Sequence, residues 1–423
     1  MKLPSVSGEG ITDEAIAALR RRIGIAVPHG VPPQYFHVNP DVFRNVANAY
    51  GDDNPLWCDP AYGPTTRWGS PIGSPQLVGG DTLIGVDEVQ ELDPDTKALV
   101  KGDPLRGVHG FYSASIREWW APLFPGAEVR RRNALVGVLD KPSELGERAV
   151  HEYTAHAFAD QRGPLSCQFR LMIRTPRDKA VSRNKDKQLV IEPYTDEQID
   201  EIDEQYARQV PRGAEVRWWD DVAEGDPVGP MVKGPLLVTD IVCWHVGMGM
   251  GLYGVRALDL AAKSRRRIPR FYHRDELNIP DVMQRLHWDT EFAKKVGNPT
   301  TFDYGRMREN WLIHMVVNWM GDDAWLWKLD CSFRKFNFVG DTQWLSGTVV
   351  RKYESEYGPA VDLELEARNQ RGEVTTPGHA TVLLPSREHP RVELPQAPGA
   401  SGELADVLAA IADEFATGKR GLS

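Results

Sequence analysis

The chain has 423 residues, 41% of them apolar and 26% charged, with a formal net charge of -10. That length and apolar content supply two ordinary globular cores, and the acidic balance excludes a chain built to wrap nucleic acid. The four cysteines, Cys58, Cys167, Cys243 and Cys331, form no CxxC pair and lack metal-ligand spacing, so no metal site is expected and a reduced, cytoplasmic setting is.

In chain order, the opening MKLPSVSGEGITDE lacks the apolar core of a secretion signal. Tyr50-Gly51-Asp52-Asp53-Asn54-Pro55-Leu56-Trp57 follows, a turn sequence whose Asp and Asn side chains can bond nearby backbone. Residues 75–86 are expected as a short helix, weakened by Gly79 and Gly80. Strands are expected over 108–120, 129–139 and 148–158. Residues 177–209 read as a charged connector with one solvated helix. His245, in Trp244-His245-Val246-Gly247, is expected at the end of a strand. The segment 253–280 carries Arg265-Arg266-Arg267 and has no counterpart earlier in the chain. Residues 304–320 are expected as a deeply buried helix, apolar on most sides. Further strands are expected over 325–338, 344–353, 361–367 and 379–384. The alternation Val361-Asp362-Leu363-Glu364-Leu365-Glu366 marks an antiparallel sheet with one wet face. The tail, 402–415, is an amphipathic helix expected to pack on its own chain or a neighbouring one. No apolar run reaches about 18 residues, so no membrane span is expected.

The halves repeat one another. Trp57-Cys58-Asp59-Pro60-Ala61-Tyr62 parallels His287-Trp288-Asp289-Thr290-Glu291-Phe292. Gly69-Ser70-Pro71 parallels Gly297-Asn298-Pro299, each expected to open a helix. Gly126-Ala127-Glu128 parallels Gly340-Asp341-Thr342, and Asp160-Gln161-Arg162-Gly163 parallels Asn369-Gln370-Arg371-Gly372. Four matches in the same order indicate an internal repeat. The expected class is α+β, each unit a buried helix followed by antiparallel strands. The units are 1–176 and 215–390, with a connector at 177–214 and a tail at 391–423.

Gly51-Asp52-Asp53-Asn54-Pro55-Leu56, a ring and then Asp59 resemble the signature of the MaoC-like, R-specific enoyl-CoA hydratases. The resemblance spans roughly 10–176, where it looks most like the N-terminal dehydratase domain of that superfamily, and more weakly 215–386. It implies a hot dog fold, a long helix wrapped by an antiparallel sheet, doubled in one chain. It implies a hydro-lyase acting on the α,β bond of an acyl thioester, carried by CoA or an acyl-carrier protein, without another cofactor. A homo-oligomer, such as a homodimer, is the expected assembly, with no nucleic-acid or membrane partner. In the family, the aspartate and histidine of Gly-Asp-x-Asn-Pro-x-His hold a water between them. The histidine handles the water proton and the aspartate the Cα proton. Backbone N–H groups at the central helix's N-terminus stabilise the thioester oxygen.

This sequence departs from that pattern. Trp57 stands at the first half's histidine position, while the second half has His287 but places Asp281 one position too far away. Three readings follow. His287 is the base, with Asp281, Asp289 or a remote carboxylate as partner; or Asp52 and His287 complete a site between the halves; or the chain binds acyl-CoA without hydrating it, or acts as a thioesterase. Asn54, His245, Gly305 and Arg306 are the candidates for substrate contact, and Arg265, Arg266 and Arg267 for CoA phosphates. The plain structural roles are a loop anchor for His287, turn formation for Asp59 and Asp289, and an interior position for His245 and His314.

Overall fold

A computed structural model describes residues 10–28, 32–79, 84–143, 146–176, 192–249 and 255–420. In chain order the strands are β1 (Val86–Asp87), β2 (His109–Trp119), β3 (Arg130–Ser143), β4 (Gly146–Asp160), β5 (Gly163–Thr175) and β6 (Pro227–Lys233). Then follow β7 (Tyr272–Arg274), β8 (Pro280–Val282), β9 (Trp325–Ser332), β10 (Gln343–Ser355), β11 (Gly358–Asn369) and β12 (Val374–Leu383). One ten-stranded sheet runs β1-β3-β4-β5-β2-β9-β12-β11-β10-β6. Read inward from its two edges, it shows the repeat: β1-β3-β4-β5-β2 has the same strand order as β6-β10-β11-β12-β9, although β1 runs parallel to β3 and β6 antiparallel to β10. The halves join through the antiparallel pairing of β2 and β9, from Ala114 opposite Ser332 to Glu118 opposite Lys328. Along β11 the expected alternation holds, with Leu363, Leu365 and Ala367 buried and Glu364 and Arg368 exposed.

The helix Gly305–Met320 crosses the second-half strands β9 to β12 and the edge strand β6. All of it except Gly305 and Asn318 is buried, so Arg308, Glu309 and His314 must find partners inside. It starts well after Pro299, and Pro71 likewise opens no helix, so the Gly-x-Pro expectation fails in both halves. The first half has no matching helix among the described residues of 75–86: 75–79 form turns, and 80–83 lie outside the description. Gly79 passes so close to the Arg117 guanidinium that a Cβ there would sit 2.4 Å from Nη1. A side chain at Gly79 would have to displace that guanidinium, where a helix had been expected. The second-half helix covers this gap, its Asn310 carbonyl accepting from Gln76 Nε2 at 3.2 Å.

Helix Pro40–Asn48, capped by Asn39 through the Val42 N–H at 3.0 Å, packs on helix Val238–Met248. His245 lies on that second helix rather than at a strand end. The connector helix is Asp196–Ala207, started by a Thr195/Gln198 capping box; residues 177–191 of the connector lie outside the description. The tail helix, Leu404–Ala416, buries Leu404, Val407, Leu408 and Ile411 against Ala134, Val136 and Tyr153 of β3 and β4. Among the described residues, no helix is long and apolar enough to cross a membrane.

Candidate active site

The loop after Asn48 is held by its own side chains. Gly51 takes a left-handed φ of 73°, which glycine adopts without strain. The Asp52 carboxylate accepts the Asn54 N–H on Oδ1 and the Trp57 indole N–H on Oδ2, both at 3.0 Å. Asn54 caps the short helix Pro55–Cys58, its Oδ1 accepting the Leu56 N–H at 3.0 Å. Asn54 thus has a structural task, and Trp57 serves Asp52 as a donor.

An imidazole nevertheless reaches Asp52, from the other half of the chain. His314, midway along the central helix, places Nε2 3.3 Å from Asp52 Oδ1. Lys233, at the end of edge strand β6, places Nζ 3.0 Å from His314 Nδ1. The same ammonium donates to the carbonyls of Tyr50 and Gly51 at 3.3 Å each. Asp52, His314 and Lys233 are 3%, 5% and 6% exposed, so their charges meet one another with little water to screen them.

Burial moves all three groups. It raises the Asp52 carboxyl to about 6, against the Asn54 N–H, the Lys233 charge and the Trp57 N–H. It lowers Lys233 to about 8, against the attraction of Asp52, Asp53 and Asp240. His314 falls well below its ordinary value through burial first and Lys233 second. Near neutral pH the group is therefore carboxylate, neutral imidazole and ammonium in a row.

His287 sits in a different setting. Its Nδ1 lies 2.8 Å from the Phe302 carbonyl, and its ring lies 3.8 Å from the Tyr304 ring, just before the central helix. Burial lowers it to about 3. No carboxylate among the described residues lies within ion-pair range of it, so the expected partner is missing. Asp281 accepts its neighbour's Val282 N–H at 2.7 Å. Asp289 caps helix Thr290–Lys295 through the Phe292 N–H at 2.9 Å and lies 3.8 Å from Arg285. Asp52 and His287 are not brought together; His314 occupies the place that the between-halves reading gave to His287.

Of the other candidates, Arg306 is buried, His245 and Gly305 are half-buried, and the arginine run lies at the surface. His245 packs 5.2 Å from the Tyr304 ring and 5.5 Å from Trp288, and burial lowers it to about 4. Gly305 lies against Phe333, whose ring would meet an added Cβ at 3.0 Å. Arg306 donates to Gln168 at 3.2 Å and lies 3.6 Å from Glu309, which Arg117 holds through two bonds of 3.0 and 2.9 Å. Arg265, Arg266 and Arg267 end helix Leu258–Arg267, which buries none of its residues. A small cavity of about 30 Å³ lies on the far side of Trp57 from Asp52, lined by Leu56, Trp57, Ile72, Trp119, Val317 and Met320 but not by Asp52 or His314 themselves. Val317 lies one helical turn beyond His314. The space is about that of one water.

Solved structures share the fold along most of the chain. A MaoC-like dehydratase superposes with a TM-score of 0.56, covering 86% of this chain and 99% of its own at 14% identity. A MaoC domain protein from Chloroflexus aurantiacus gives 0.51, covering 91% of this chain and 100% of its own at 11% identity. The chain has the fold of the MaoC-like dehydratases. It is a double hot dog whose first unit has no central helix among its described residues. No protein-family model and no curated protein matches the sequence. Within this fold, Asp52 stands on the loop that the motif marks, but its imidazole and ammonium come from 262 and 181 positions further along the chain. The sequence signal for Lys233 is faint: a single cation ending the apolar pair Met231-Val232. For His314 it is a polar ring inside an apolar helix.

Proposed function

We propose that the chain is a hydro-lyase that adds or removes water across the α,β bond of an acyl thioester, with Asp52 and His314 as its acid–base pair. The observation that carries this reading is the 3.3 Å approach of His314 Nε2 to Asp52 Oδ1. It restores the aspartate–imidazole pairing that Trp57 removes from the loop. A carboxyl raised to about 6 is a competent base near neutral pH. In dehydration, Asp52 takes the Cα proton, the electron pair forms the double bond, and the hydroxyl leaves with the proton from His314 Nε2. Hydration reverses each transfer. The apolar cavity beside Trp57 suits the start of an acyl chain rather than a water. The chemistry moves one water and two protons, and the thioester carrier, CoA or an acyl-carrier protein, belongs to the substrate.

The test offers short and bulky enoyl-CoA esters to the purified chain and follows loss of the conjugated thioester absorbance. Asp52→Asn and His314→Gln should each lower kcat by roughly 100- to 10,000-fold. Full activity in Asp52→Asn rules the pair out. Thiol release without hydration identifies a thioesterase, and CoA-ester binding without turnover a binding partner.

A further inference from the structure

The proposed step has a gap that the site's third member fills. A neutral imidazole that gives up its Nε2 proton becomes an imidazolate unless Nδ1 is protonated as Nε2 lets go. An ammonium carries three N–H donors and no acceptor. Lys233 Nζ has three partners: the carbonyls of Tyr50 and Gly51, and His314 Nδ1. Nδ1 must therefore accept, which leaves the ring proton on Nε2, facing Asp52.

We infer that Lys233 is a positioning residue that locks the His314 tautomer and supplies Nδ1 with a proton as Nε2 releases its own. The inference rests on the Asp52–His314 reading for its kinetic consequences, while the tautomer is a property of the chain without substrate. The step balances. The N–H bond at Lys233 breaks as one forms at Nδ1, giving a neutral amine and a neutral imidazole of the opposite tautomer. Asp52 holds the substrate's proton and returns it through Nε2, and Nδ1 returns its proton to Lys233. Two carbonyls aim the ammonium, so the lysine cannot swing out to solvent without breaking both bonds.

Charge around the group suits this role. Asp52, Asp53 and Asp240 attract the Lys233 proton, against a burial that lowers it to about 8. Tyr50 and Cys58 flank Asp52, both raised mainly by burial. Turnover needs Asp52 ionised and Lys233 protonated, so kcat/KM should follow a bell between about 6 and about 8. The limbs are macroscopic values of a coupled pair.

The experiment uses the full chain labelled with ¹⁵N-histidine, and assigns the His314 signals by their loss in His314→Gln. Proton-coupled ¹⁵N correlation should show Nε2 protonated and Nδ1 bare in the wild type. Lys233→Met should populate the other tautomer and lower kcat roughly 100-fold, with KM little changed. Lys233→Arg keeps a cationic donor, so it should retain the tautomer while the alkaline limb of the profile moves upward. A wild-type ring protonated on Nδ1 overturns the inference. So does a tautomer unmoved in Lys233→Met, or an alkaline limb unmoved in Lys233→Arg. Should Lys233→Met fail to fold, the wild type and Lys233→Arg decide. A chain that hydrates no enoyl thioester, yet shows the Lys233-held tautomer, overturns the hydro-lyase reading and leaves the lock standing.

Discussion

Trp57 shows how one side chain changes the character of a carboxyl. Its indole N–H donates to Asp52 Oδ2, and this bond holds the carboxyl down against burial. Trp57→Phe keeps the ring and removes the donor. The Asp52 pKa should then rise above about 6, and the acid limb of the kcat/KM profile should move towards neutrality. Losing a donor to a buried carboxylate costs about 1–3 kcal/mol, measurable by denaturant unfolding. An unmoved acid limb would mean that Asp52 does not set it. The Asp52 loop was legible in the sequence because its contacts are local: Asn54 and Trp57 lie within five positions. His314 and Lys233 were not, because no pattern of neighbours marks a contact made across the fold. Asp289 was legible in the same way as the Asp52 loop: its expected turn role is the local cap on the Phe292 N–H.

Two elements decide how the halves lock together. Helix Pro40–Asn48 approaches helix Val238–Met248 at Gly247, where an added Cβ would meet Ala49 Cβ at 2.4 Å and the Asn45 carbonyl at 2.6 Å. Asn45 belongs to the facing helix and Ala49 is its C-cap, so the helices must separate to admit a methyl. Gly247→Ala should destabilise the chain by roughly 1–3 kcal/mol, read as a lower denaturation midpoint with an unchanged slope. The second lock is Arg117 on β2 against Glu309 on the central helix, 1% and 0% exposed at the side chain. Burial pushes Glu309 up, and the guanidiniums of Arg117 and Arg306 more than offset this, leaving it below the ordinary carboxylate range. Glu309→Gln strands Arg117 in the interior and should cost about 3–5 kcal/mol. Most of the strands and the central helix were legible from their periodicity. The turns over 75–79, where a helix was expected, were not, because Gly79 serves a close approach to Arg117 that only the folded chain reveals. The helix carrying His245 was misread for a related reason: an apolar run beside glycines fits a strand or a helix equally well.

At the scale of the molecule, the interior holds its imidazoles uncharged, and this sets how the fold responds to acid. Burial lowers His287 from 6.5 to about 3 and His245 from 6.5 to about 4. It lowers His314 well below 6.5, with Lys233 adding to the effect. Below pH 6.5 the unfolded chain takes up protons that the folded chain refuses, so these rings remove stability as the pH falls. Asp52 and Asp303 act the other way. Burial raises each from 3.8 to about 6, so the folded chain binds the extra protons. Their contribution is fully present below 3.8 and is lost as the pH rises through about 6. The imidazoles dominate, because His287 alone moves further from its ordinary value than either carboxyl does, and two more rings act in the same direction. The net loss between neutrality and pH 4.5 is on the order of a few kcal/mol. One core cluster runs from Phe43 and Trp57 through the central helix to Leu365, and the sheet crosses between the halves without a break. The loss should therefore appear as a single transition whose Tm falls steadily in melts from pH 7 to pH 4.5. His287→Phe should flatten that slope by removing one of the rings that burial holds uncharged. A Tm that holds or rises across this range would mean that the buried rings are protonated in the folded chain, and the neutral state assigned to His314 would fall with them.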